Sequence, residues 1–360
     1  MSKTGEAGPA HGKSVQEPLP FLLPGSRVGR YRIERRLGIG AMSEVYLATD
    51  DSLGRFAAIK VLSSKLVSNA TITERFLREA RALARLSHPN LIPVFEDGQV
   101  GTPARPYYAM ELLEGGDTQK LLDERGPLPS PVVAAIGAQA ATGLGEAARA
   151  GIIHRDVKPA NLGISRHGVL KVADFGLAKS TTADKSLTAR GMVVGTADYI
   201  APEQARGEGL DERADVYSLG CTLFHLLTGH PPYRAPQGQA VKEYLEVMRM
   251  HLTAPVPDVR AEMPDTEPDL AEAVAWMMTK DRNARPTFDE IARRLARIAS
   301  RLDGELPRVT RQLFMVPASS VAGSSSVEED PVPKVRSWQR IAALAVIVAA
   351  AIALAIALGR

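Results

Sequence analysis

The chain has 360 residues, of which 45% are hydrophobic and 24% are charged, a composition typical of a globular protein. Its formal net charge is only +3, which gives no reason to expect a nucleic acid as partner. The single cysteine, Cys221, excludes an internal disulfide. This fits a reducing compartment, and we expect the thiol to be a small buried hydrophobic group.

Residues 1–28 are predicted to form a disordered tail. Glycine, proline and charged residues follow one another there without helix or strand periodicity. The segment also lacks the pattern of a charged stretch followed by an apolar run, so we expect no secretory signal peptide.

A domain of two unequal lobes is predicted for residues 29–302. Strand patterns come first, in RYRIERRL, SEVYLAT and RFAAIKVL, with a turn at residues 51–54. A helix pattern, TITERFLREARALARL, then precedes two more strands in LIPVFEDGQ and PYYAMELL. Five further helix patterns follow: VVAAIGAQAATGLGEAARA, RADVYSLGCTLFHLLTG, VKEYLEVMRMHL, LAEAVAWMMT and FDEIARRLARIASRL. The order predicts an α+β fold, with a strand-rich lobe at 29–112 and a helical lobe at 117–302.

The segment GIGAMS, residues 38–43, raises the first functional question. Two glycines two residues apart, just before a strand, are typical both of a loop that covers phosphate groups and of a simple hairpin turn. Ser43 occupies the sixth place, where a third glycine would complete the phosphate-binding pattern. The segment alone leaves both interpretations open.

A buried ion pair is predicted between Lys60 and Glu79. Lys60 ends the apolar strand FAAIK. In the helix pattern that follows, Glu79 lies on the same inward stripe as Phe76 and Leu83. Because a carboxylate on a buried face needs a cation, we expect Lys60 to supply it.

Two later segments, GIIHRDVKPAN (151–161) and LKVADFGLAK (170–179), complete a set of motifs that closely resembles the protein kinase family. The resemblance covers about residues 30–300, and GTADYIAPEQ and DVYSLGCTLFHLLTGHPPY look like the eukaryotic-like (Hanks-type) bacterial serine/threonine branch. It implies the bilobal kinase fold and ATP-dependent phosphorylation of serine and threonine hydroxyls on proteins, with Mg²⁺. GIGAMS is then a phosphate-binding loop.

The resemblance also implies a role for each motif residue. Asp156 would accept the proton of the acceptor hydroxyl, and Lys158 would steady the γ-phosphoryl group. Lys60, held by Glu79, would contact the α- and β-phosphates. Mg²⁺ would be bound by Asn161 and Asp174. The residues expected around the nucleotide are Leu37, Gly38, Ile39, Gly40, Ala41, Met42, Ser43, Glu44, Val45, Ala58, Lys60, Met110, Glu111, Leu113 and Asp117.

Gly163 departs from the family pattern. It stands two residues after Asn161, where the family normally has a large apolar residue below the base. Loss of such a contact would cost about 1–3 kcal/mol of nucleotide affinity. Leu162 or a shifted neighbouring side chain would have to compensate.

The segment 174–203 is predicted to carry the regulation. The resemblance implies that Arg155 pairs with a phosphate on this segment, and that Thr188 is the first of two regulatory threonines. Arg190 occupies the second position, so a switch with two phosphates is not expected. Autophosphorylation is expected at Thr188.

Other motif residues are predicted to hold the fold. Glu203 and Arg285 are expected to form a buried pair in the helical lobe. Asp215 is expected to hold the backbone at residues 154–155, and His154 to be a packed core residue.

Two rival functions remain. A pseudokinase would keep the fold and act as a docking or scaffold module, and a small-molecule kinase would share the fold. The presence of Lys60, Glu79, Asp156, Asn161 and Asp174 argues against the first. The segment GTADYIAPEQ argues against the second. A homodimer through the strand-rich lobe is an expectation by analogy alone.

A membrane anchor is predicted at residues 338–360, after a Ser/Pro/acidic linker at 303–337. Residues 341–358 contain no polar side chain, and as a helix they would extend about 27 Å. The alternative is a core helix. Half of these residues are alanine, which favours insertion less than leucine does. Basic residues precede the segment, which places the kinase domain on the cytoplasmic side of the cell membrane with no external sensor domain.

Overall fold

The computed structural model describes residues 21–40, 42–175, 197–236 and 240–302. Six strands form one antiparallel sheet in the order β1-β2-β3-β4-β6-β5. The strands are β1 (Arg27–Val28), β2 (Tyr31–Ile39), β3 (Ser43–Asp50), β4 (Arg55–Leu62), β5 (Val94–Val100) and β6 (Arg105–Met110).

Helix α1 (Ala70–Ala84) packs against this sheet. The helix begins after Asn69, whose side chain accepts a hydrogen bond from the backbone N–H of Ile72 (3.2 Å). Its buried stripe includes Phe76, and the ring of Phe76 lies 5.1 Å from that of Tyr108 in β6. The stripe therefore fixes how the helix faces the sheet.

The second lobe is mainly helical. Its elements are α2 (Thr118–Arg125), α3 (Ser130–Arg149), β7 (Leu162–Ile164), β8 (Leu170–Val172), α4 (Pro202–Arg206), α5 (Arg213–Thr228), α6 (Ala240–Thr253), α7 (Val259–Glu262), α8 (Pro268–Met277) and α9 (Phe288–Leu302). Helix α5 is buried along almost its whole length, because α3, α8 and other elements pack around it. A Cβ on Gly137 of α3 would lie 2.6 Å from Leu295 Cδ1 and 2.8 Å from Leu223 Cδ1, so a side chain at this position would have to displace both leucine side chains.

The architecture confirms the predicted α+β fold with two lobes. The strand-rich lobe ends with β6, and the helical lobe begins with α2. The antiparallel hairpin of β7 and β8 lies in the sequence between His-Arg-Asp (residues 154–156) and Asp-Phe-Gly (residues 174–176).

The prediction of a disordered tail over residues 1–28 is wrong for residues 21–28, the part that the structure describes. Leu22 is only 7% exposed and belongs to the core of the strand-rich lobe with Val28, Tyr31 and Ile33. The segment is too short to show periodicity, yet Leu22 and Val28 are buried on the sheet. The folded domain therefore begins before residue 29.

Within the described ranges, no helix is both long enough and apolar enough to cross a membrane. The linker predicted at 303–337 and the anchor predicted at 338–360 lie outside those ranges.

Candidate active site

The predicted ion pair of Lys60 and Glu79 is present. Lys60 Nζ lies 3.4 Å from Glu79 Oε1, and the two residues are only 9% and 3% exposed. The Tyr108 hydroxyl donates a second hydrogen bond to Glu79 Oε1 (3.0 Å). Burial raises the pKa of Glu79, and the Lys60 ammonium offsets only part of this effect. The pair thus anchors the end of β4 to helix α1.

Asp174 is the second partner of Lys60. Its Oδ1 lies 3.0 Å from Lys60 Nζ, and its side chain is 44% exposed. Burial would raise the pKa of Asp174, but the adjacent ammonium lowers it below the ordinary aspartate value. Burial would likewise lower the pKa of Lys60, and the charges of Asp174 and Glu79 instead hold it well above its ordinary value. Both shifts favour the charged forms of Asp174 and Lys60.

Asp156, Lys158 and Asn161 lie on one loop and contact one another. Lys158 Nζ is 3.0 Å from Asp156 Oδ2. The Asn161 amide nitrogen donates to the Asp156 carbonyl oxygen (2.7 Å) and to Asp156 Oδ2 (3.2 Å). The Asn161 carbonyl in turn accepts from the Ala173 N–H (2.9 Å), beside Asp174. The side chains of Asp156, Lys158 and Asn161 are thus held together on this loop, and a backbone hydrogen bond places the loop next to Asp174.

Asp215 supports this loop from below, as predicted. Its two carboxylate oxygens accept from the backbone N–H groups of His154 (2.6 Å) and Arg155 (2.7 Å). Burial raises the pKa of Asp215 to about 7, although these two donors act to lower it. The bonds hold Arg155 at φ 66°, a left-handed conformation that costs a non-glycine residue about 1–3 kcal/mol.

His154 is a core residue, as predicted. It is fully buried, its Nε2 lies 2.9 Å from the Ala173 carbonyl, and its ring lies 4.4 Å from that of Phe175. Asp174, between these two neighbours, also has a positive φ of 56°. The packing of His154 therefore helps to fix the strained backbone that presents Asp174.

The loop at residues 38–43 returns on itself at the edge of the sheet. The Gly40 N–H donates to the Ser43 carbonyl (2.8 Å), and the Met42 carbonyl accepts from the Ser63 N–H (2.8 Å). A Cβ on Gly38 would meet no atom within 4 Å, so this part of the loop is open. Ala41 lies outside the described residues.

The segment that connects the lobes offers two backbone groups to a ligand. The Glu111 N–H donates to the Pro93 carbonyl (3.1 Å), and the Leu113 carbonyl accepts from Gly116 (3.1 Å). In the part of the chain that the structure describes, no partner is found for the Glu111 carbonyl or the Leu113 N–H. One acceptor and one donor are therefore available where the resemblance expects the base.

Leu113 fills the space that Gly163 leaves. A Cβ at position 163 would lie 2.1 Å from Leu113 Cδ1, so the leucine side chain occupies the place of a side chain at 163. Leu162, the other candidate for compensation, is fully buried in the hydrophobic core. The apolar contact is thus supplied from the connecting segment.

Other predicted nucleotide contacts have a clear position in the structure. Ala58 and Met110 are paired neighbours in β4 and β6, and both are buried. Leu37 and Ile39 are partly exposed on β2, and Val45 begins the return along β3. Asp117 caps α2, because its Oδ1 accepts from the Lys120 N–H (2.9 Å). This capping role was not predicted.

The structural pair of Glu203 and Arg285 is confirmed. Arg285 Nη1 and Nη2 lie 2.7 and 2.9 Å from the two carboxylate oxygens of Glu203, and both side chains are buried. Arg285 also donates to the backbone carbonyls of Thr279 and Arg213. A bidentate pair with these additional bonds joins α4 to the segment before α9.

Of the predicted regulatory residues Arg155 and Thr188, only Arg155 lies within the described residues. Arg155 Nε is buried and has no hydrogen-bond partner among the described residues. Thr188 lies outside those residues. So does Thr196, which by the family resemblance marks, together with Lys158, serine or threonine as the acceptor.

Asn161 and Asp174 fit a divalent cation. The side-chain nitrogen of Asn161 donates to Asp156, which leaves the side-chain oxygen Oδ1 of Asn161 to act as a ligand together with the partly exposed carboxylate of Asp174. Among the described residues there is no cluster of three or more His, Cys, Asp or Glu side chains suited to a metal. Mg²⁺ typically uses one or two protein carboxylates together with water and substrate phosphates, and Asp174 with Asn161 would supply ligands of this kind.

Sequence reasoning missed two contributors to the site. Tyr108 donates a hydrogen bond to Glu79. It reaches Glu79 because it lies opposite Lys60 in the pairing of β6 with β4, which no local sequence pattern indicates. Leu113 was expected only as a neighbour of the nucleotide, and its side chain also packs against Gly163.

Comparison with known proteins agrees with this geometry. Residues 31–295 match the protein kinase domain family. The serine/threonine-protein kinase PknL of Mycobacterium tuberculosis (strain CDC 1551 / Oshkosh) is 40% identical over 261 residues, which cover 72% of this chain and 62% of the relative. PknB of Mycobacterium leprae is 44% identical over 206 residues, 57% of this chain and 33% of the relative. The chain therefore spans less than two thirds of the length of these relatives.

Solved structures show the same fold. The crystal structure of the M. tuberculosis PknI kinase domain is similar with a TM-score of 0.60 at 29% identity, covering 78% of this chain and 99% of that one. The domain match and the relatives together show that the chain belongs to the protein kinase family, with the bacterial Hanks-type kinases.

Proposed function

We propose that the chain transfers the γ-phosphoryl group of ATP to serine and threonine hydroxyls of proteins. The observation that carries this proposal is the arrangement of two linked pairs: Lys60 contacts Asp174, and Asn161 contacts Asp156. The backbone carbonyl of Asn161 accepts from the N–H of Ala173, the neighbour of Asp174, and so brings the two pairs together. The arrangement combines one buried cation, two carboxylates and one amide. These are the groups that phosphoryl transfer requires for positioning and for charge stabilisation.

Each residue contributes one physical task. Lys60, held between Glu79 and Asp174, presents a fixed positive charge to the phosphates. Asp156 accepts the proton of the acceptor hydroxyl as that oxygen attacks phosphorus. Lys158, 3.0 Å from Asp156, supplies positive charge beside the transferred group. Mg²⁺ held by Asn161 and Asp174 would neutralise negative charge on the phosphate oxygens.

Serine and threonine are the proposed acceptors for two reasons. The resemblance associates Lys158 and Thr196 with these hydroxyls, and the relatives described above carry the name serine/threonine-protein kinase. The pseudokinase alternative would require a broken site. The intact contacts of Lys60 and Asn161 favour the enzyme.

A phosphoryl-transfer assay with the full chain tests the proposal. Purified protein in detergent is incubated with γ-labelled ATP, Mg²⁺ and casein, and labelled residues are identified after acid hydrolysis. We expect label on serine and threonine, and a loss of at least a hundredfold for Asp156→Asn, which keeps the shape of the side chain. Equal labelling by Asp156→Asn would contradict the assignment, and label on tyrosine alone would contradict the acceptor.

We further propose that Thr188 is the main site of autophosphorylation and that Arg155 binds its phosphate. The buried Nε of Arg155 supports this, because a phosphate would supply the partner that it lacks within the described residues. Peptide mapping after incubation with Mg-ATP should find phosphate at Thr188. A segment 180–188 that stays unmodified while the kinase labels casein would contradict the proposal.

Residues 341–358 are proposed to anchor the chain in the cell membrane, with the kinase domain in the cytoplasm. The support is the unbroken apolar run and the basic residues before it. We expect the full chain to stay with membranes after an alkaline carbonate wash. Release by that wash would contradict the anchor.

A further inference from the structure

Arg105, at the start of β6, is a buried cation outside the set of catalytic contacts. It is only 2% exposed and is among the largest fully buried side chains of the described residues. Its Nε donates to the Leu62 carbonyl (2.7 Å), and its Nη2 donates to Glu44 Oε1 (3.0 Å). Burial of a guanidinium at the edge of a small lobe is costly unless all its groups are satisfied. The bonds to Leu62 and Glu44 therefore offset the cost of burying Arg105.

Both partners of Arg105 belong to the base of the phosphate-binding loop. Glu44 pairs with Ile39 across the loop, so it is the first residue of β3 that pairs with β2. Leu62 pairs with Ser43 at the end of the neighbouring strand. One planar side chain thus holds the returning arm of the loop against β4.

The segment before β1 completes the cluster. The Phe21 ring stacks on the Arg105 guanidinium, 3.8 Å from its carbon to the ring centroid. The Tyr46 hydroxyl accepts from the Phe21 and Leu22 N–H groups (3.0 and 3.2 Å) and donates to Glu44 Oε2 (2.6 Å). Both carboxylate oxygens of Glu44 are therefore engaged.

The fit of Phe21 also involves the turn between β5 and β6. A Cβ on Gly101 would lie 2.5 Å from Phe21 Cζ, and Gly101 has φ +80°. Glycine at this position leaves the space that the ring fills. The turn, the guanidinium and the backbone donors together define one location for Phe21.

We propose that Phe21, Arg105 and Tyr46 form a positioning cluster that fixes the phosphate-binding loop through Glu44. Phe21 precedes the region that matches the kinase family, which begins at residue 31. The nucleotide site thus depends on a segment outside the matched domain. This inference rests on the proposed function, because positioning of the loop matters only if the loop binds ATP.

Two substitutions test the cluster in the full chain. Tyr46→Phe removes only the hydroxyl that links Glu44 to the N-terminal segment, and Phe21→Ala removes the stacked ring. Tyr107→Phe is the matched control, since it removes a hydroxyl that contacts Glu96 in the same lobe (3.4 Å). The measurements are the KM for ATP, kcat, the Kd of a fluorescent ATP analogue and the thermal unfolding midpoint.

We expect Tyr46→Phe and Phe21→Ala to raise the KM for ATP and the Kd of the analogue by about three- to tenfold. The kcat should stay within about twofold, because Asp156 and Asp174 are untouched. Tyr107→Phe should change neither the KM nor the Kd, and its unfolding midpoint measures what the loss of a tyrosine hydroxyl in this lobe costs in stability. Raised KM and Kd in Tyr46→Phe, with unchanged KM and Kd in Tyr107→Phe, would separate positioning of the loop from a general loss of stability.

The two proposals fail in different ways. A wild-type chain that binds the analogue and transfers phosphate, with unchanged Kd and KM in Tyr46→Phe and Phe21→Ala, overturns the positioning cluster alone. Equal increases in KM for Tyr46→Phe and Tyr107→Phe also overturn it. A wild-type chain that binds no nucleotide overturns the proposed function and the cluster together.

Discussion

Moving a leucine from position 113 to position 163 tests how the cleft beside the connecting segment is filled. Gly163→Leu alone would place its Cβ 2.1 Å from Leu113 Cδ1. We expect this overpacking to lower the free energy of unfolding by about 1–3 kcal/mol. Leu113→Ala alone removes a half-buried side chain, and we expect it to cost about 1–2 kcal/mol.

The double variant tests whether the side chains at positions 113 and 163 are energetically coupled. Gly163→Leu combined with Leu113→Ala conserves the apolar volume, so it should lose less than about 1.5 kcal/mol. This is smaller than the sum of the single losses, and it corresponds to a favourable coupling of roughly 1–3 kcal/mol. Urea unfolding of the wild type, the two single variants and the double variant measures the cycle.

A control variant separates this contact from the general effect of adding leucine. A Cβ on Gly209 would meet nothing within 4 Å, so Gly209→Leu should change the free energy of unfolding by about 0.5 kcal/mol or less. Strictly additive losses at positions 113 and 163 would refute the view that Leu113 replaces the missing side chain. The Kd of a fluorescent ATP analogue should rise for Leu113→Ala and recover in the double variant.

Three further predictions concern charge and burial. Glu203→Ala leaves Arg285 buried without its carboxylate, so denaturant unfolding should show a loss of about 3–5 kcal/mol; a loss below about 1 kcal/mol would contradict a buried pair. Glu79→Gln keeps an oxygen for Tyr108 but removes the charge, so steady-state kinetics should show a fall in kcat/KM of about ten- to a hundredfold. Unchanged kinetics would contradict a role of Glu79 in the active site. His251 is fully buried, and burial lowers its pKa to about 3, so stability should fall as the pH drops from about 6.5 towards 3, by up to about 1.4 kcal/mol per pH unit. The same unfolding series on His251→Gln should have a smaller slope, and an equal slope would contradict a neutral buried imidazole.

Local patterns predicted the elements well where the pattern was long. Helix α9 has the predicted bounds 288–302, because apolar residues repeat there with helical spacing over four turns. The pair of Lys60 and Glu79 followed from one buried carboxylate that needed one cation. Short elements such as α2 and the hairpin of β7 and β8 carry too few residues to show a period, and they were missed.

Contacts that depend on strand register could not be predicted from the sequence. Tyr108 meets Glu79 because β6 pairs with β4 in one register, and nothing local in PYYAMELL specifies that register. Phe21 shows the same limit, since its burial depends on Arg105, far along the chain. The side chain of Leu113 compensates for Gly163 for a similar reason. Two segments far apart in sequence approach each other only in the folded lobe.

The most direct test of the account measures whether ATP binding depends on Mg²⁺ through Asp174. Calorimetric titration of the full chain with ATP, with and without Mg²⁺, compares the wild type with Asp174→Asn. The account predicts that Mg²⁺ tightens binding to the wild type by at least tenfold and has little effect on the variant. The same Mg²⁺ dependence in both proteins would contradict the assignment of Asp174, together with Asn161, as the residues that hold the divalent ion.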